Sequence, residues 1–329
     1  MSVLGFELEW LDEVSGLLQT LFMKFFLDDN TIELLQGHST FLKRIFYPDV
    51  TLSDLFVGNT ITIFNRLMVI KNCCNQATIR FMDAREVRFL CKIGRRDLTE
   101  FGKLMIIAKK SKLVMGKVLT TSSSFYSDLM GANTGDVIVE LVGVLAEGRG
   151  GFLKAVGMDL SSVEVVQASA VQIEAAFKSC GKATFRSQNC SLCLIKPHIM
   201  KSQLVGELLA ELKENGFQVG ALFSVHMSLA MGEEFFEVYR TLYVDYMASL
   251  EQMCNTPVLA VVITGSGSVV EDFRDFCGPL NPALARTLRP KSLRANYGHD
   301  LVTNAVHCTD LPDDGEMECR YFFETLASL

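Results

Sequence analysis

One pattern occurs twice in this chain, and it limits the fold more than any other feature. Phe89-Leu-Cys-Lys-Ile93, the stretch Gly94-Arg-Arg-Asp-Leu-Thr-Glu-Phe-Gly102 and an apolar helix-like segment form the first copy. Ser191-Leu-Cys-Leu-Ile195, Lys196-Pro-His-Ile-Met200 and Leu204-Val-Gly206 form the second. Both copies then run from helix into strand. Asp136-Val-Ile-Val-Glu-Leu-Val142 corresponds to Pro257-Val-Leu-Ala-Val-Val-Ile263, each reading as a buried strand. In the second copy Ser202 is the expected N-cap. Leu204, Val205, Leu208, Leu209 and Leu212 share one helical face, and Asn215-Gly216 ends the helix. Two related α/β units joined head to tail are expected.

The rest of the chain bounds what surrounds the repeat. Its 329 residues suggest two or three domains. Residues 1–88 read as a small, mostly β domain: Asp28-Asp-Asn30 is a turn signal, and Thr60-Ile-Thr-Ile-Phe64 is a β-branched strand. No apolar run approaches the roughly 20 residues needed to span a bilayer, and the first residues are acidic where a secretion signal would be basic. The expectation is a soluble, cytoplasmic protein with no membrane partner. A net charge of −7 argues against nucleic acid as a partner, but not against a small anion held in a local cationic pocket. The ten cysteines are scattered and read as reduced core residues. Cys190-Ser-Leu-Cys193 has CxxC spacing but lies in a strand-like run without a second pair, so no metal site is assigned.

The chemistry-bearing residues gather near the end: Arg294-Ala-Asn-Tyr-Gly298, Asn304-Ala-Val-His307-Cys-Thr-Asp310 and Glu318. A histidine that does chemistry needs something to fix its tautomer, cations to hold an anionic substrate, and a rigid frame. This stretch resembles the signature of nucleoside diphosphate kinases, Asn-x-x-His-Gly-Ser-Asp preceded by Arg-Gly, with Cys308 and Ala295 in place of the glycines. The resemblance implies ferredoxin-like α/β domains. It makes His307 the phosphate acceptor, Glu318 the carboxylate orienting its ring, and Lys196 of Ile-Lys-Pro a phosphate ligand. Arg274, four residues before Gly278, and Arg294 take the places of the two phosphate-binding arginines, and Asn304 that of the ribose contact. Phe236 falls on a phosphate-facing tyrosine and Leu280 on a threonine. The base clamp falls near Asp245 and Tyr246. The implied reaction moves the ATP γ-phosphate, with Mg²⁺, to a nucleoside diphosphate through phosphohistidine.

The first copy departs further. Its lysine position holds Gly94 and its histidine position is read as Gln167, an amide that is no phosphoryl acceptor. Gly148-Arg-Gly-Gly151 reads as a shortened turn, and the phosphate-facing loop is missing. This copy, 89–180, is read as sterile, and 181–329 as the copy retaining the site.

Residues 1–88 carry a second resemblance. Trp10-Leu-Asp12, Phe25-Phe-Leu-Asp-Asp-Asn-Thr-Ile-Glu33, Phe41-Leu-Lys-Arg44 and Asp54-Leu-Phe-Val-Gly58 are similar to the DM-ten module of ciliary and flagellar proteins. The combination resembles the ciliary type of the kinase family. That implies an axonemal, cytoskeletal protein of the cilium or flagellum, inside doublet microtubules and touching tubulin, with γ-tubulin complexes as a further partner. Two functions stay open: an enzyme exchanging γ-phosphates near their site of use, or an architectural protein that keeps a nucleotide fold as a structural element.

Overall fold

The computed structural model of the protein describes residues 3–12, 17–64, 66–94, 98–121, 125–126, 130–144, 149–180, 189–254 and 257–328. Backbone packing divides the chain into two compact units. The first is Met1–Val87 with Ser111–Leu113 and Val142–Arg149; the second is Arg88–Lys110, Val114–Leu141 and Gly150–Leu329.

In the first unit, six strands make one sheet. They are β1 (Val3–Asp12), β2 (Leu17–Phe26), β3 (Thr31–Gln36), β4 (Ser39–Phe46), β5 (Thr60–Ile63) and β6 (Arg66–Cys73), in the order β4-β3-β2-β1-β6-β5. Alternation sets the face: Leu4, Phe6 and Leu8, with Leu21, Met23 and Phe25, are buried while Phe22 on the other side is exposed. The β2–β3 turn forms because Asn30 accepts a left-handed φ of 54° and the Asp29 carboxylate accepts hydrogen bonds from the Thr31 hydroxyl, the Thr31 amide and Arg44. Helix α1 (Gln76–Asp83) starts at Asn75, whose side chain accepts from the Thr78 amide. The Thr78 hydroxyl in turn accepts from the Gly5 amide at 3.0 Å, tying the helix to β1.

Most of the repeat lies in the second unit. Its first copy runs β7 (Glu86–Ile93), α2 (Leu98–Lys110), β8 (Val114–Thr120), the two-residue strands β9 (Phe125–Tyr126) and β10 (Gly131–Ala132), β11 (Val137–Val144), α3 (Arg149–Asp159), β12 (Val163–Gln167) and α4 (Ala170–Ser179). The second runs β13 (Cys190–Ile195), α5 (Pro197–Lys201), α6 (Val205–Glu214), β14 (Gln218–Val225), α7 (Leu229–Phe236), α8 (Tyr246–Cys254) and β15 (Val258–Thr264). It continues through α9 (Val269–Cys277), α10 (Pro282–Leu288), α11 (Leu293–Tyr297), β16 (Val306–Cys308) and α12 (Gly315–Arg320). One eight-stranded sheet carries both, in the order β12-β7-β11-β8-β14-β15-β13-β16. Read outward from the middle, each half has the same order of equivalent strands, the ferredoxin-like arrangement. Strands β11, β13 and β15 are almost wholly buried, which is why they read as apolar runs, whereas β7 alternates in part, with Glu86, Arg88 and Lys92 half-buried.

The two halves meet at β8 and β14, where Phe223 stands opposite Leu119. Side-chain hydroxyls join the edges: the Val118 amide donates to Ser224 Oγ at 2.7 Å and the Leu222 amide to Thr120 Oγ1 at 2.8 Å. Beside them α2 and α6 pack together at Gly102 and Gly206, where a Cβ on Gly206 would stand 2.8 Å from the Gly102 carbonyl oxygen.

Two local expectations are corrected. Ser202 is the C-cap of the short α5, not an N-cap; α6 begins after Leu204 with no side-chain cap and ends at Gly216, whose φ is +86°. Arg149-Gly-Gly151 opens a helix instead of making a turn. Residues 95–97 of the first copy and Gly148 lie outside the described residues. Among the described residues no helix is long and apolar enough to cross a membrane.

Candidate functional site

Strand β16 is three residues long and fully buried, and it pairs antiparallel with β13 so that His307 stands opposite Leu194. The residue that delivers the chain into it, Ala305, has φ of +75°, a left-handed conformation that costs an alanine about 1 kcal/mol or more and persists because the surroundings hold it. The Lys196 amide donates to the Ala305 carbonyl at 3.0 Å, which pins this bend to the end of β13. The bend sets Asn304 and His307, three residues apart, in one wall.

The imidazole of His307 is 3 % exposed. Its Nε2 lies 3.5 Å from Glu318 Oε2, slightly beyond a hydrogen bond, and has no other partner. Thr309 explains where that carboxylate sits. The Thr309 hydroxyl donates to Glu318 Oε2 at 2.7 Å and accepts from the Leu192 amide at 2.9 Å, so a backbone group of β13 positions the acid behind the ring. Phe235, Phe236 and Tyr239 meet the imidazole edge-on, with centroids 5.5, 5.4 and 5.6 Å away. They leave the ring little freedom to turn.

His307 separates two spaces. On one side is a cleft of about 390 Å³ lined by Arg274, Arg289, Arg294, Tyr239, Tyr243, Leu280, Cys308 and Asp310. On the other is a small, partly open recess of about 10 Å³, lined by Lys196, Phe236, Tyr246 and Asn304 among others and sharing Tyr243 and Leu280 with the cleft. That is room for about one water. The sequence-derived set is therefore brought together around one ring but not into one pocket: Arg274 and Arg294 face the cleft, Lys196, Asn304, Phe236 and Tyr246 the small cavity, and Glu318 stands behind Nε2.

The cations differ in how tightly they are held. Arg294 is 6 % exposed; its Nη1 donates to the Gly278 carbonyl at 2.6 Å and its Nη2 to the Val306 carbonyl at 3.2 Å and to Cys308 Sγ at 3.6 Å, while its Nε has no partner. Arg274, about half exposed, pairs with Asp310 at 3.1 Å, and Arg289 pairs with Asp275 at 2.9 Å. Exposed pairs of this kind contribute about 0–1 kcal/mol, so either arginine can exchange its carboxylate for a phosphate at little cost. Lys196 is buried, donating to the Val302 carbonyl at 2.8 Å. Burial, then the charge of Arg294, depresses its pKa to about 7, with Asp300 opposing. An anion reaching this lysine would restore its proton.

Asn304 donates from Nδ2 to the Leu280 carbonyl at 3.2 Å and leaves Oδ1 buried without a partner. His198, the other histidine near Lys196, is bonded through Nδ1 to Gln252 at 2.9 Å and lines neither space.

The first copy corrects one reading. Lys92 in β7 occupies the place of Leu194 in β13, and the residue opposite Lys92 is Glu164, whereas Gln167 stands opposite Phe89. Glu164, ion-paired to Lys92 at 2.5 Å, is thus the counterpart of His307. Sequence spacing slipped by three residues here because Val163–Gln167 has no motif to anchor it. Sequence reading also passed over Thr309, Arg289, Tyr239 and Tyr243. Thr309 had a signal, since a hydroxyl residue follows the histidine by two positions in the motif. Arg289 had none, being brought into the cleft by the turn after α10.

Comparison with known proteins follows the same division. The family model for nucleoside diphosphate kinase matches residues 189–327. Proteins described as nucleoside diphosphate kinase homolog 7 are similar along nearly the whole length, that of Mus musculus at 31 % identity and that of Rattus norvegicus at 30 %, each over 98 % of this chain and 93 % of the relative. A nucleoside diphosphate kinase of Desulfovibrio desulfuricans is 36 % identical over 41 % of this chain and 94 % of its own.

Proposed function

The chain belongs to the nucleoside diphosphate kinase family, in its homolog 7 group, and on that footing we propose that residues 181–329 transfer a γ-phosphoryl group between nucleotides through His307. The observation that carries this is the placement of one buried imidazole between a carboxylate at 3.5 Å and a cleft containing three arginines.

The roles follow from the geometry. Glu318, held by Thr309, accepts the Nε2 proton and so leaves the lone pair on Nδ1. Closing the 3.5 Å gap by about half an ångström makes that hydrogen bond, a tightening expected when substrate engages the ring. Nδ1 attacks the γ-phosphorus, the bond to the β-phosphate oxygen breaks, and the nucleoside diphosphate leaves. The β-phosphate of a second diphosphate then takes the phosphoryl group back. Arg274, Arg289 and Arg294 offset the charge spread over the transferring group. Mg²⁺, bound with the nucleotide, would add its charge to that of the arginines. Phe236 offers no hydroxyl and Leu280 none, and each missing hydrogen bond to a charged group costs about 1.5–3 kcal/mol, so turnover is slow for the family. The test is incubation with γ-labelled ATP and Mg²⁺. Acid-labile, base-stable label on His307 is expected; nucleotide bound without label makes the domain a structural nucleotide pocket.

The other two parts act as docking surfaces in this reading. Residues 1–88 form the DM-ten module and 89–180 a sterile copy, and together they attach the protein to tubulin in ciliary or flagellar doublet microtubules, with γ-tubulin complexes as a second partner. What supports this is the module's resemblance and its edge strand β4, whose Phe41, Ile45 and Phe46 are exposed. Removing residues 1–88 should abolish axonemal incorporation while nucleotide binding persists; normal localisation of the truncated protein would defeat the docking role.

A further inference from the structure

We propose that Cys308 and Cys277 are a peroxide-sensitive thiol pair that closes to a disulfide in the wall of the His307 cleft. Cys308 follows His307 in β16 and lines the cleft, with its Sγ 3.6 Å from Nη2 of the buried Arg294. Cys277 is the last residue of α9, fully buried, and its thiol is the hydrogen-bond partner of Cys308. The two segments also converge on the same guanidinium: the carbonyl of Gly278, the next residue after Cys277, accepts from Arg294 Nη1 at 2.6 Å. A thiol with an S–H donor on one side and a fixed cation on the other is stabilised as thiolate, and Cys308 is accordingly drawn down to about 6 by Cys277, against burial, with help from Arg294 and His307. Cys277 is pushed well up, as suits the donor of the pair.

A second pair provides the contrast. Cys190 and Cys319 are also buried and hydrogen-bonded to each other, and Cys319 likewise draws Cys190 down, but no cation assists there: the charges acting on the pair are Glu316 and Glu318, which oppose a thiolate. Two thiol pairs of similar burial therefore differ in the sign of the neighbouring charge.

The reaction balances with a hydroperoxide as oxidant. The Cys308 thiolate attacks one peroxide oxygen, an S–O bond forms, the O–O bond breaks, and the departing hydroxide is protonated to water. Cys277 Sγ then attacks the sulfenic sulfur, the S–O bond breaks, and the thiol proton leaves with the hydroxide as a second water. Two electrons pass from the thiols to the peroxide. The disulfide takes the anionic sulfur from Arg294 and ties β16 to the end of α9, which also bears Arg274. This consequence for catalysis rests on the phosphotransfer reading; the thiol chemistry does not.

The experiment treats the full-length protein with stoichiometric hydrogen peroxide, alkylates remaining thiols after unfolding, and maps linked peptides by mass spectrometry. A Cys277–Cys308 link forming before any Cys190–Cys319 link is expected, with phosphohistidine formation falling on the order of tenfold, as for a small displacement of a catalytic group, and recovering on reduction by dithiothreitol. Cys277→Ser should keep basal transfer, form no disulfide and stop at sulfenic or sulfinic acid on Cys308. If Cys277 and Cys308 stay alkylatable while Cys190–Cys319 links, or if Cys308 in Cys277→Ser takes up no oxygen, the proposal is overturned. Linkage is read without nucleotide, so an inert kinase would leave it standing, and a labelled histidine without linkage would sink it alone.

Discussion

The two copies of the repeat share a sheet order and differ in what they leave unsatisfied. In the first, buried charges are matched: Arg88 pairs with Glu140 at 2.8 Å, and Glu100 accepts from Lys103 and from the Ser161 amide at 3.0 Å. Among the described residues, every buried side-chain nitrogen or oxygen without a hydrogen bond lies in the second copy, including His307 Nε2, Arg294 Nε and Asn304 Oδ1. A buried polar group without a partner costs free energy, so each calls for a functional or structural reason. The first copy also runs from β8 to β11 through residues 121–136, while the second spends residues 226–257 on α7 and α8, the elements that bring Phe235, Phe236 and Tyr239 against the histidine. The sheet can be kept without the site; the site cannot be kept without the added helices.

The sharpest way to break this comparison is to remove the acceptor. His307→Gln should eliminate acid-labile phosphate while nucleotide still binds through Arg274 and Arg294, read by phosphohistidine label and by calorimetry. Placing a histidine at the matching point of the first copy, Glu164→His in the His307→Gln background, should restore nothing, because Gly94 stands there in place of Lys196. Label at residue 164 would show that the fold alone suffices. A smaller effect is expected behind the ring. Glu318→Gln should slow transfer by about 10–100-fold, the usual cost of losing a group that orients a functional histidine. Thr309→Val, which frees the carboxylate without removing it, should cost less than Glu318→Gln at unchanged nucleotide affinity; an equal loss would mean that Thr309 touches substrate.

The repeat was legible because buried strands write themselves as apolar runs, a mark that β11, β13 and β15 carry along their length and β7 only in Phe89-Leu-Cys91. The histidine, its carboxylate and two arginines were legible through a motif of fixed spacing. What was not legible depends on cross-strand register or on packing between distant segments. Glu164 was missed because a strand of five half-exposed residues, Val163–Gln167, fits several registers until β7 selects one. The cap at Ser202 failed because Pro197 opens α5, a separate short helix that uses Ser202 to close. The division of the site residues between two spaces follows from the edge-on rings around His307, which no local pattern encodes.

Lys196 gives a test of intermediate size. Its pKa of about 7 lies below the 10.5 of a free lysine, so between those values the unfolded chain binds more protons than the folded one. From this group alone, stability therefore rises with pH across that window. Nucleotide binding has the opposite sign. Below pH 7 the lysine is already charged and affinity is flat; above it, phosphate binding must draw in a proton, and affinity should fall by up to about tenfold per pH unit. Calorimetry at pH 8 in buffers of different ionisation enthalpy should show proton uptake that Lys196→Met abolishes. Uptake unchanged in that variant would place the titrating group elsewhere, and Gly94, the matching residue of the first copy, predicts no such linkage there.

The smallest effect on the site should come from the seam joining the copies. At α2 and α6 the two halves touch backbone to backbone: a methyl group on Gly206 would lie 2.8 Å from the Gly102 carbonyl oxygen and 2.8 Å from Met105 Cβ. Carbonyl oxygen and Cβ are parts of the backbone frame, so neither can rotate aside, and the helices must separate. Gly206→Ala should therefore destabilise the folded chain by about 1–3 kcal/mol, the usual cost of overpacking a close contact. Gly102→Ala meets the Gly206 carbonyl at 3.2 Å and should cost less. Both leave the β13–β16 ladder and the Leu192–Thr309–Glu318 chain untouched, because these lie within the second copy. Denaturant midpoints should fall in the order wild type, Gly102→Ala, Gly206→Ala, while phosphohistidine formation at low temperature stays at the wild-type rate. A loss of transfer in parallel with stability would mean that the first copy holds the second in shape through this seam, and the two regions would then have to be treated as one site.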